Sequence, residues 1–155
     1  MAYIFPAPGV AGVQAVLTLS FAGDLVDLVV PAMQDITINN SNDIMTWTQL
    51  DSGSKLNVAT TATNGLDLNI VLDQTVFFGT NPSGTTPTEI GIFGVSKDKV
   101  RIAFELYLGD TSAGAAGKTL SGFAYISGLA PTVSADAPVW VSPLTLTVDG
   151  DYTVA

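Results

Sequence analysis

Few residues in this chain have the types and spacing that catalysis or ligand binding requires. Ser112-Ala-Gly-Ala-Ala-Gly117-Lys118-Thr119 comes close to the glycine-rich loop that cradles phosphate groups. That loop needs a glycine where Ser112 stands and a helix directly after it, but the residues after Thr119 have the pattern of a strand. We therefore predict a flexible surface loop here and no nucleotide site.

The carboxylates give no clearer sign of a reactive site. Asp149-Gly150-Asp151 lacks the further acids at alternating positions that a calcium loop supplies, so it is expected to be a hairpin or terminal turn. The chain contains no His and no Cys, which excludes the usual zinc sites and Ser-His or Cys-His nucleophiles. A catalytic carboxylate pair is disfavoured because the aspartates fall mostly at turns and strand ends. We predict no enzyme, metal or cofactor.

Composition restricts the class of protein. The 155 residues include 14 acidic and 5 basic ones, for a net charge of -9, and 47% of the chain is hydrophobic. That apolar content is too high for a disordered acidic tail, and the charge is opposite to that of a nucleic-acid binder. With no long apolar run and no basic start to the N-terminus, we expect a soluble protein made in the cytoplasm, with no membrane association.

Alternation of apolar and polar residues predicts a series of short strands. These strands span residues 13–21, 25–30, 35–39, 44–50, 55–61, 66–73, 100–108, 120–127 and 144–149. Turns are predicted at 39–43, at 51–54 and at Asn64-Gly65. For residues 24–33 a helix is the alternative. Short strands joined by turns at this spacing are typical of an antiparallel β-sandwich or barrel.

A single short helix is predicted at residues 87–97. Thr86-Pro87-Thr88-Glu89 combines a hydroxyl cap, a proline at the first helical position and a glutamate three residues after the cap. A further strand is the alternative, because Gly91 and Gly94 weaken a helix. The mainly β domain therefore has at most one short flanking α-helix.

The N-terminal residues have a different character from the rest of the chain. Residues 1–12 are predicted to form an extended arm, because Pro6 and Pro8 do not suit a sheet interior. Its apolar residues Tyr3, Ile4 and Phe5 can pack on the same domain or reach a neighbouring molecule. Residues 13–155 then form one β domain.

The sequence leaves the role of its large aromatic residues open. Trp47, Trp140 and the Phe77-Phe78 pair have the character of a ligand-binding face, whereas packing in the core or between subunits is the commoner use of such residues. The sequence therefore allows a carbohydrate-binding module or a capsid decoration protein as an alternative function.

Two regions resemble bacteriophage major tail proteins, the tail tube proteins. Gly122-Phe-Ala-Tyr-Ile-Ser-Gly-Leu-Ala-Pro131, then Pro138-Val-Trp140 and Leu144-Thr-Leu-Thr-Val-Asp-Gly150, resemble the C-terminal part of that family. There, a strand of the type Gly-x-x-Tyr/Val-Ile/Val-Ser leads through a Pro/Ser-rich connection to a final alternating strand. The segment from Trp47-Thr-Gln-Leu-Asp51 to Phe78-Gly79 also resembles the meander of these proteins.

The resemblance implies a structural virion protein of the phage tail that assembles into stacked, hexameric rings. The tube conducts the genome during ejection, and DNA passes through it without specific binding. The implied partners are other copies of the chain and the tape measure, tail terminator and baseplate or tip proteins. Candidate contacts between subunits or rings are Tyr3, Ile4, Phe5, Ser112 and Lys118, and candidate acids of the lumen are Asp43, Asp51, Asp67 and Asp73.

Overall fold

The fold is seen in a computed structural model, which describes residues 15–22, 26–30, 33–50, 53–109 and 117–155. The predicted arm with Tyr3, Ile4 and Phe5 lies outside the described residues, and so do Ser112 and Asp51. In the described part of the chain, no helix has the length and apolar character needed to cross a membrane.

One antiparallel sheet forms the body of the molecule. Its strands are β1 (Ala15–Phe21), β2 (Leu28–Val30), β3 (Met33–Thr48), β4 (Lys55–Val71), β5 (Ile102–Leu108), β6 (Lys118–Leu129), β7 (Thr132–Ser134) and β8 (Ala137–Val154). The strand order is β2-β1-β5-β6-β8-β4-β3, and β7 pairs with β8 outside this path. The prediction of a mainly β, antiparallel fold is confirmed, with the sheet open instead of closed into a barrel.

The sheet has one buried face, here called the core face. Strand residues at every second position point into it and are almost fully buried, among them Leu17, Leu19, Leu66, Leu68, Ile70, Phe104, Leu106, Leu144 and Leu146. Helices α1 (Gln74–Phe78) and α2 (Pro87–Lys97) cover this face with Phe77, Ile90, Ile92 and Val95. Each large apolar side chain buried in this way contributes roughly 1.5–3 kcal/mol to folding, so the core face holds the domain together.

Helix α2 has the bounds that the sequence predicts. The Glu89 carboxylate accepts hydrogen bonds from the backbone N–H groups of Thr85 and Thr86 at 3.0 Å and from the Thr86 hydroxyl at 2.9 Å. The Thr86 hydroxyl and these two N–H groups stabilise the ionised form and lower the pKa of Glu89 below its ordinary value. The capping motif therefore fixes where α2 begins.

Helix α1 was not predicted. The Asp73 side chain caps it, accepting hydrogen bonds from the N–H groups of Thr75 and Val76 at 2.9 and 3.0 Å. A five-residue helix is too short to show a helical period, and its β-branched and aromatic residues suit a strand equally well. The structure thus adds a second short helix to the one predicted.

Two glycines allow the helices to meet. Gly79, after α1, and Gly91, at a kink inside α2, both have left-handed backbone conformations, with φ of 76° and 69°. A Cβ atom on Gly91 would lie 2.4 Å from the backbone N of Gly79, so the two backbones touch where no side chain fits. Because Gly91 lies at the kink and not in a regular helical turn, its presence does not prevent α2 from forming.

Two turns predicted from the sequence are wrong. Residues 39–43 belong to β3 and Asn64-Gly65 to β4, because the two strands pair on both sides of a register shift at Asp43, with Asn40 opposite Asn64 and Asn39 opposite Gly65. Asn-Gly sequences favour turns only when the neighbouring chain does not offer a better partner. In this protein Asn40 of β3 faces Asn64 of β4, and the chain reverses only after the last pair, Thr48 with Lys55.

The expected turn at Asp149-Gly150-Asp151 is also wrong. These residues lie inside β8, where they bulge out of register opposite Phe123 of β6. Gly150 takes a φ of 85°, and Arg101 packs 3.9 Å from the centre of the Phe123 ring while its Nε donates to Asp149 at 2.6 Å. The strand continues past the bulge because Leu120 and Ser121 of β6 pair with its last residues.

Candidate assembly surfaces

The first candidate surface is the projecting hairpin, defined as residues 40–50 and 53–64 of β3 and β4. Strand β4 pairs with β8 only from Gly65 onward, so the hairpin extends beyond the sheet for roughly 30 Å at about 3.3 Å per residue. Its exposed apolar side chains are Ile44, Met45, Trp47, Leu50, Leu56 and Val58. A two-stranded ribbon with these side chains in water is marginally stable by itself, which suits a surface that another molecule covers.

The sheet edges form the second candidate surface. Strand β2 lies at one edge with three residues and β3 at the other with 16, and no described strand pairs with the outer side of either. Unpaired N–H and C=O groups along a strand edge accept a further strand. The two edges therefore offer pairing sites of different length.

The third candidate surface is the face of the sheet that the helices leave uncovered, here called the outer face. It carries mainly hydroxyl, amide and carboxylate side chains, with two aromatic rings: Thr18, Ser20, Asp35, Thr37, Asp67, Asn69, Glu105, Ser121, Phe123, Tyr125, Thr145 and Thr147. None of these side chains is basic. The Arg101 guanidinium also lies over this face, on the Phe123 ring, and is paired with Asp149. The rest of the outer face therefore presents negative charge and neutral polar groups.

Two acids of the outer face lie on adjacent strands. Asp67 of β4 stands opposite Thr37 of β3 and Thr145 of β8, and it accepts a hydrogen bond from the Asn39 amide. Asp35 accepts two hydrogen bonds at 3.0 Å from Asn69, its partner across the ladder. These uncharged amides orient the two carboxylates at the surface of the sheet.

The fourth candidate surface is an apolar depression at the end of the sheet opposite the projecting hairpin, here called the aromatic groove. It has a volume of about 500 Å³ and is lined by Val71, Leu72, Phe78, Pro131, Val139 and Trp140, with Gln74 as its polar residue. The rings of Trp140 and Phe78 are 53% and 52% exposed. Large aromatic side chains this exposed are typical of a surface that binds a partner.

The predicted site residues do not converge on one place. Asp67 lies on the outer face, Asp43 lies in the projecting hairpin with a hydrogen bond from the Thr61 hydroxyl at 2.8 Å, and Asp73 caps α1. Lys118 is exposed at the start of β6, beside Leu108. Within the described ranges, no group of three or more acids could hold a metal ion.

The chain is similar to known proteins in its structure. Neither the models of protein families nor the curated proteins give a match to the sequence. Among solved structures, the SPP1 tail tube is similar with a TM-score of 0.65 and 12% identity, over 91% of this chain and 76% of that one. A chain in the tail of an empty GTA particle, with C6 symmetry, has a TM-score of 0.65 and 10% identity, over 92% of this chain and 96% of that one.

A third similar structure comes from an injection system. A chain in the sheath/tube terminator of the extracellular contractile injection system PVC has a TM-score of 0.64 and 15% identity, over 99% of both chains. The chain has the tail tube fold. The resemblance that the sequence suggests is thereby supported, and the similar chains belong to tail and tube structures, not to enzymes.

Within this tail tube fold, the sequence reasoning missed several surface residues. Asp35 shares the outer face with Asp67, and the signal was present as the alternation Asp35, Thr37, Asn39. The sequence gives Trp140 and Phe78 the character of a ligand face, but it does not show that they meet in one groove with Pro131. That meeting depends on α1, which the sequence pattern does not predict.

Proposed function

We propose that this chain is the building block of a phage tail tube. Copies associate into rings, six to a ring, and the rings stack into a tube that conducts DNA during ejection. The observation that carries the proposal is the tail tube fold over nearly the whole chain, shared with tail structures of which one has C6 symmetry. The protein then works in the virion as a structural component and catalyses no reaction.

Ring closure is supported by the two open sheet edges. Strand β2 of one copy and β3 of the next give a head-to-tail contact, and repetition of one such contact closes a ring when the rotation between copies fits. The long edge of β3 supplies main-chain groups that direct the pairing, so ring formation does not need a large apolar interface between edges.

The outer face is the proposed lining of the lumen. Its acids, with Asp67 and Asp35 on adjacent strands, repel the phosphates of DNA, and its hydroxyl groups offer no fixed positive charge. DNA therefore slides without specific binding. Asp43, Asp51 and Asp73 remain further candidates for the lumen, although the Asp73 carboxylate already caps α1.

The proposed partners follow from a tube of finite length. Beyond copies of itself, such a tube needs a tape measure protein inside, a terminator at one end and a baseplate or tip at the other. A chain in a sheath/tube terminator shares the fold, which supports contacts with a protein of that kind. The projecting hairpin and the aromatic groove offer surfaces at the two ends of the subunit for these contacts.

Electron microscopy of the purified protein over a concentration series, with sedimentation in parallel, tests the proposed function. Tubes or stacked rings with a central hole and six subunits per ring are expected. A small closed oligomer at all concentrations, with or without an added tail initiation complex, would contradict the tube and favour a decoration protein.

Cysteine labelling tests which face lines the lumen, since the chain has no cysteine of its own. Thr145→Cys on the outer face should react in tubes with a small maleimide but not with a maleimide carried on a globular protein. Asp98→Cys, exposed beyond α2 on the other side of the sheet, is the matched control and should react with both. Equal reaction of Thr145→Cys with both reagents would place the outer face on the outside of the tube.

A further inference from the structure

The aromatic groove lacks a partner of its own in the described structure. Phe78 reaches it from α1 and Trp140 and Val139 from β8, and all three side chains are about half exposed. Phe93 of α2 extends the apolar surface, with its ring centre 5.7 Å from that of Phe78. None of the described residues that line the groove is charged, so its occupant should be apolar and uncharged.

The groove is also rigidly built. The N–H of Leu72 donates to the carbonyl of Trp140 at 2.9 Å, which fixes the end of β4 against β8. Phe78 stands edge-on to the fully buried Phe77, with ring centres 4.9 Å apart, so the ring has a fixed support behind it. A preformed groove of this kind binds an apolar segment without first having to rearrange.

The N-terminal arm has the complementary composition. Residues 1–14 contain no charged side chain and carry the consecutive apolar residues Tyr3, Ile4 and Phe5, followed by Pro6 and Pro8. Prolines restrict the backbone before binding, which lowers the entropy lost when a segment docks. The lack of charge and the apolar character of these three side chains therefore suit the groove.

The arm is too short to fill the groove of its own molecule. Ala15 pairs with Leu108 and Leu108 with Lys118, which places the start of β1 at the end of the sheet that carries the projecting hairpin. Leu129 pairs with Leu144, so Trp140 lies at the opposite end. Following β6 and then β8 gives a separation of roughly 45 Å at about 3.3 Å per residue. A fully extended chain spans at most about 36 Å from Phe5 to Ala15 and about 43 Å from Tyr3 to Ala15, so the arm cannot place all three side chains in its own groove.

We propose that Tyr3, Ile4 and Phe5 of one copy dock into the aromatic groove of another copy. The inference rests on the proposed function, because the copies meet in a tube. A stack in which subunits point the same way brings the arm end of one copy to the groove end of the next, so the distance that prevents docking within one molecule favours docking between two. The arm then links successive rings.

Disulfide trapping between singly substituted full-length proteins tests the docking. Ile4→Cys protein is mixed with Val139→Cys protein, assembled, oxidised and analysed by mass spectrometry of the linked peptides. The expected result is a 4–139 link. Val29→Cys is the matched control, since Val29 is a similarly exposed valine on the edge strand β2, and it should give no link to position 4.

Three outcomes would overturn the docking while tubes are visible by microscopy. The first is no 4–139 link between copies in those tubes. The second is a 4–139 link in dilute, monomeric Ile4→Cys/Val139→Cys protein, which would show the arm in its own groove. The third is a link from Val139→Cys to Leu56→Cys of the projecting hairpin in preference to Ile4→Cys, which would make the hairpin the occupant.

A peptide titration decides the docking even if no tubes form, an outcome that would overturn the proposed function itself. A synthetic peptide of residues 1–12 is added to dilute full-length Trp47→Phe protein, in which Trp140 is the remaining tryptophan. A saturable change in Trp140 emission is expected, and at least a tenfold weaker one with a peptide carrying Ser at positions 3, 4 and 5. Equal responses to the two peptides would overturn the docking.

Discussion

Strand β4 has two halves with opposite environments. From Leu66 to Val71 its side chains alternate between buried and half-buried, because one face packs on the core. From Lys55 to Thr63, in the projecting hairpin, every side chain is exposed although the backbone pairing with β3 continues. Backbone pairing and apolar burial are thus separable here: burial stabilises one half of the strand, and the other half depends on cross-strand contacts with β3.

A Leu→Ala substitution should change the free energy of unfolding much more in the core face than in the projecting hairpin. Leu106→Ala, in the core face, should lower the free energy of unfolding by about 2–5 kcal/mol, because Leu106 is fully buried and the change leaves a cavity. Leu56→Ala in the projecting hairpin should change it by no more than about 0.5 kcal/mol. Urea unfolding followed by circular dichroism measures both, and similar losses would show that the hairpin shares the core's stability.

The next effect concerns the helical cover of the core face. Gly91→Ala should lower the free energy of unfolding by about 1–3 kcal/mol, because alanine disfavours the left-handed conformation and its methyl group meets the backbone of Gly79. Gly53→Ala is the control, since a Cβ atom there has open space around it. Thermal unfolding compares the two variants, and an unchanged midpoint for Gly91→Ala would mean that the kink is not required.

The stability of the helical cover should also depend on pH, through Glu89 at the start of α2. The pKa of Glu89 is lowered in the folded protein, so its contribution to stability is present above the ordinary carboxyl pKa, about 4.3, and is lost as the pH falls through the lower folded value. Glu89→Gln keeps an acceptor for the cap but does not titrate, and it should reduce the loss of stability in acid. Glu105→Gln controls for the removal of one negative charge. Unfolding curves between pH 2 and about 6 provide the measurement.

The ion pair at the β8 bulge should have a smaller effect. Arg101→Ala removes the pair with Asp149 and the stacking on Phe123, but both charged side chains are close to half exposed and screened by water. A loss of about 0.5–1 kcal/mol is expected, and it should decrease only in part at high salt because the stacking is not ionic. Asp149→Asn keeps the stacking and should lose less.

The smallest effect on the isolated subunit should accompany the largest effect on assembly. Ile44→Ser in the projecting hairpin should leave the free energy of unfolding within about 0.5 kcal/mol of the original protein, since Ile44 is mostly exposed. Tube formation should require a markedly higher protein concentration. Thr46→Ser, on the same strand, is the control for sedimentation, and normal tubes from Ile44→Ser would remove this residue from the assembly surfaces.

The sequence predicts the elements with a buried face or a local motif well, and it predicts the exposed hairpin poorly. The alternation in β1, β5 and β8 was readable because one face of each strand is buried, and α2 was readable because its cap is a local motif. Residues 39–43 were misjudged because an exposed strand has no apolar period, so only the cross-strand partner decides its conformation. Asn64-Gly65 was misjudged because Asn64 is a polar residue at a buried strand position. The aromatic groove depends on contacts between β8 and α1 that are distant in sequence.

The placement of the projecting hairpin at a single end of the sheet gives the molecule a direction. Whatever is built by repeating contacts between that end and the opposite one is a polar filament, with hairpins exposed at one terminus and grooves at the other. Subunits then add to the two termini at different rates, and a protein that caps one terminus does not recognise the other. The length and orientation of such a filament can therefore be controlled separately from each end.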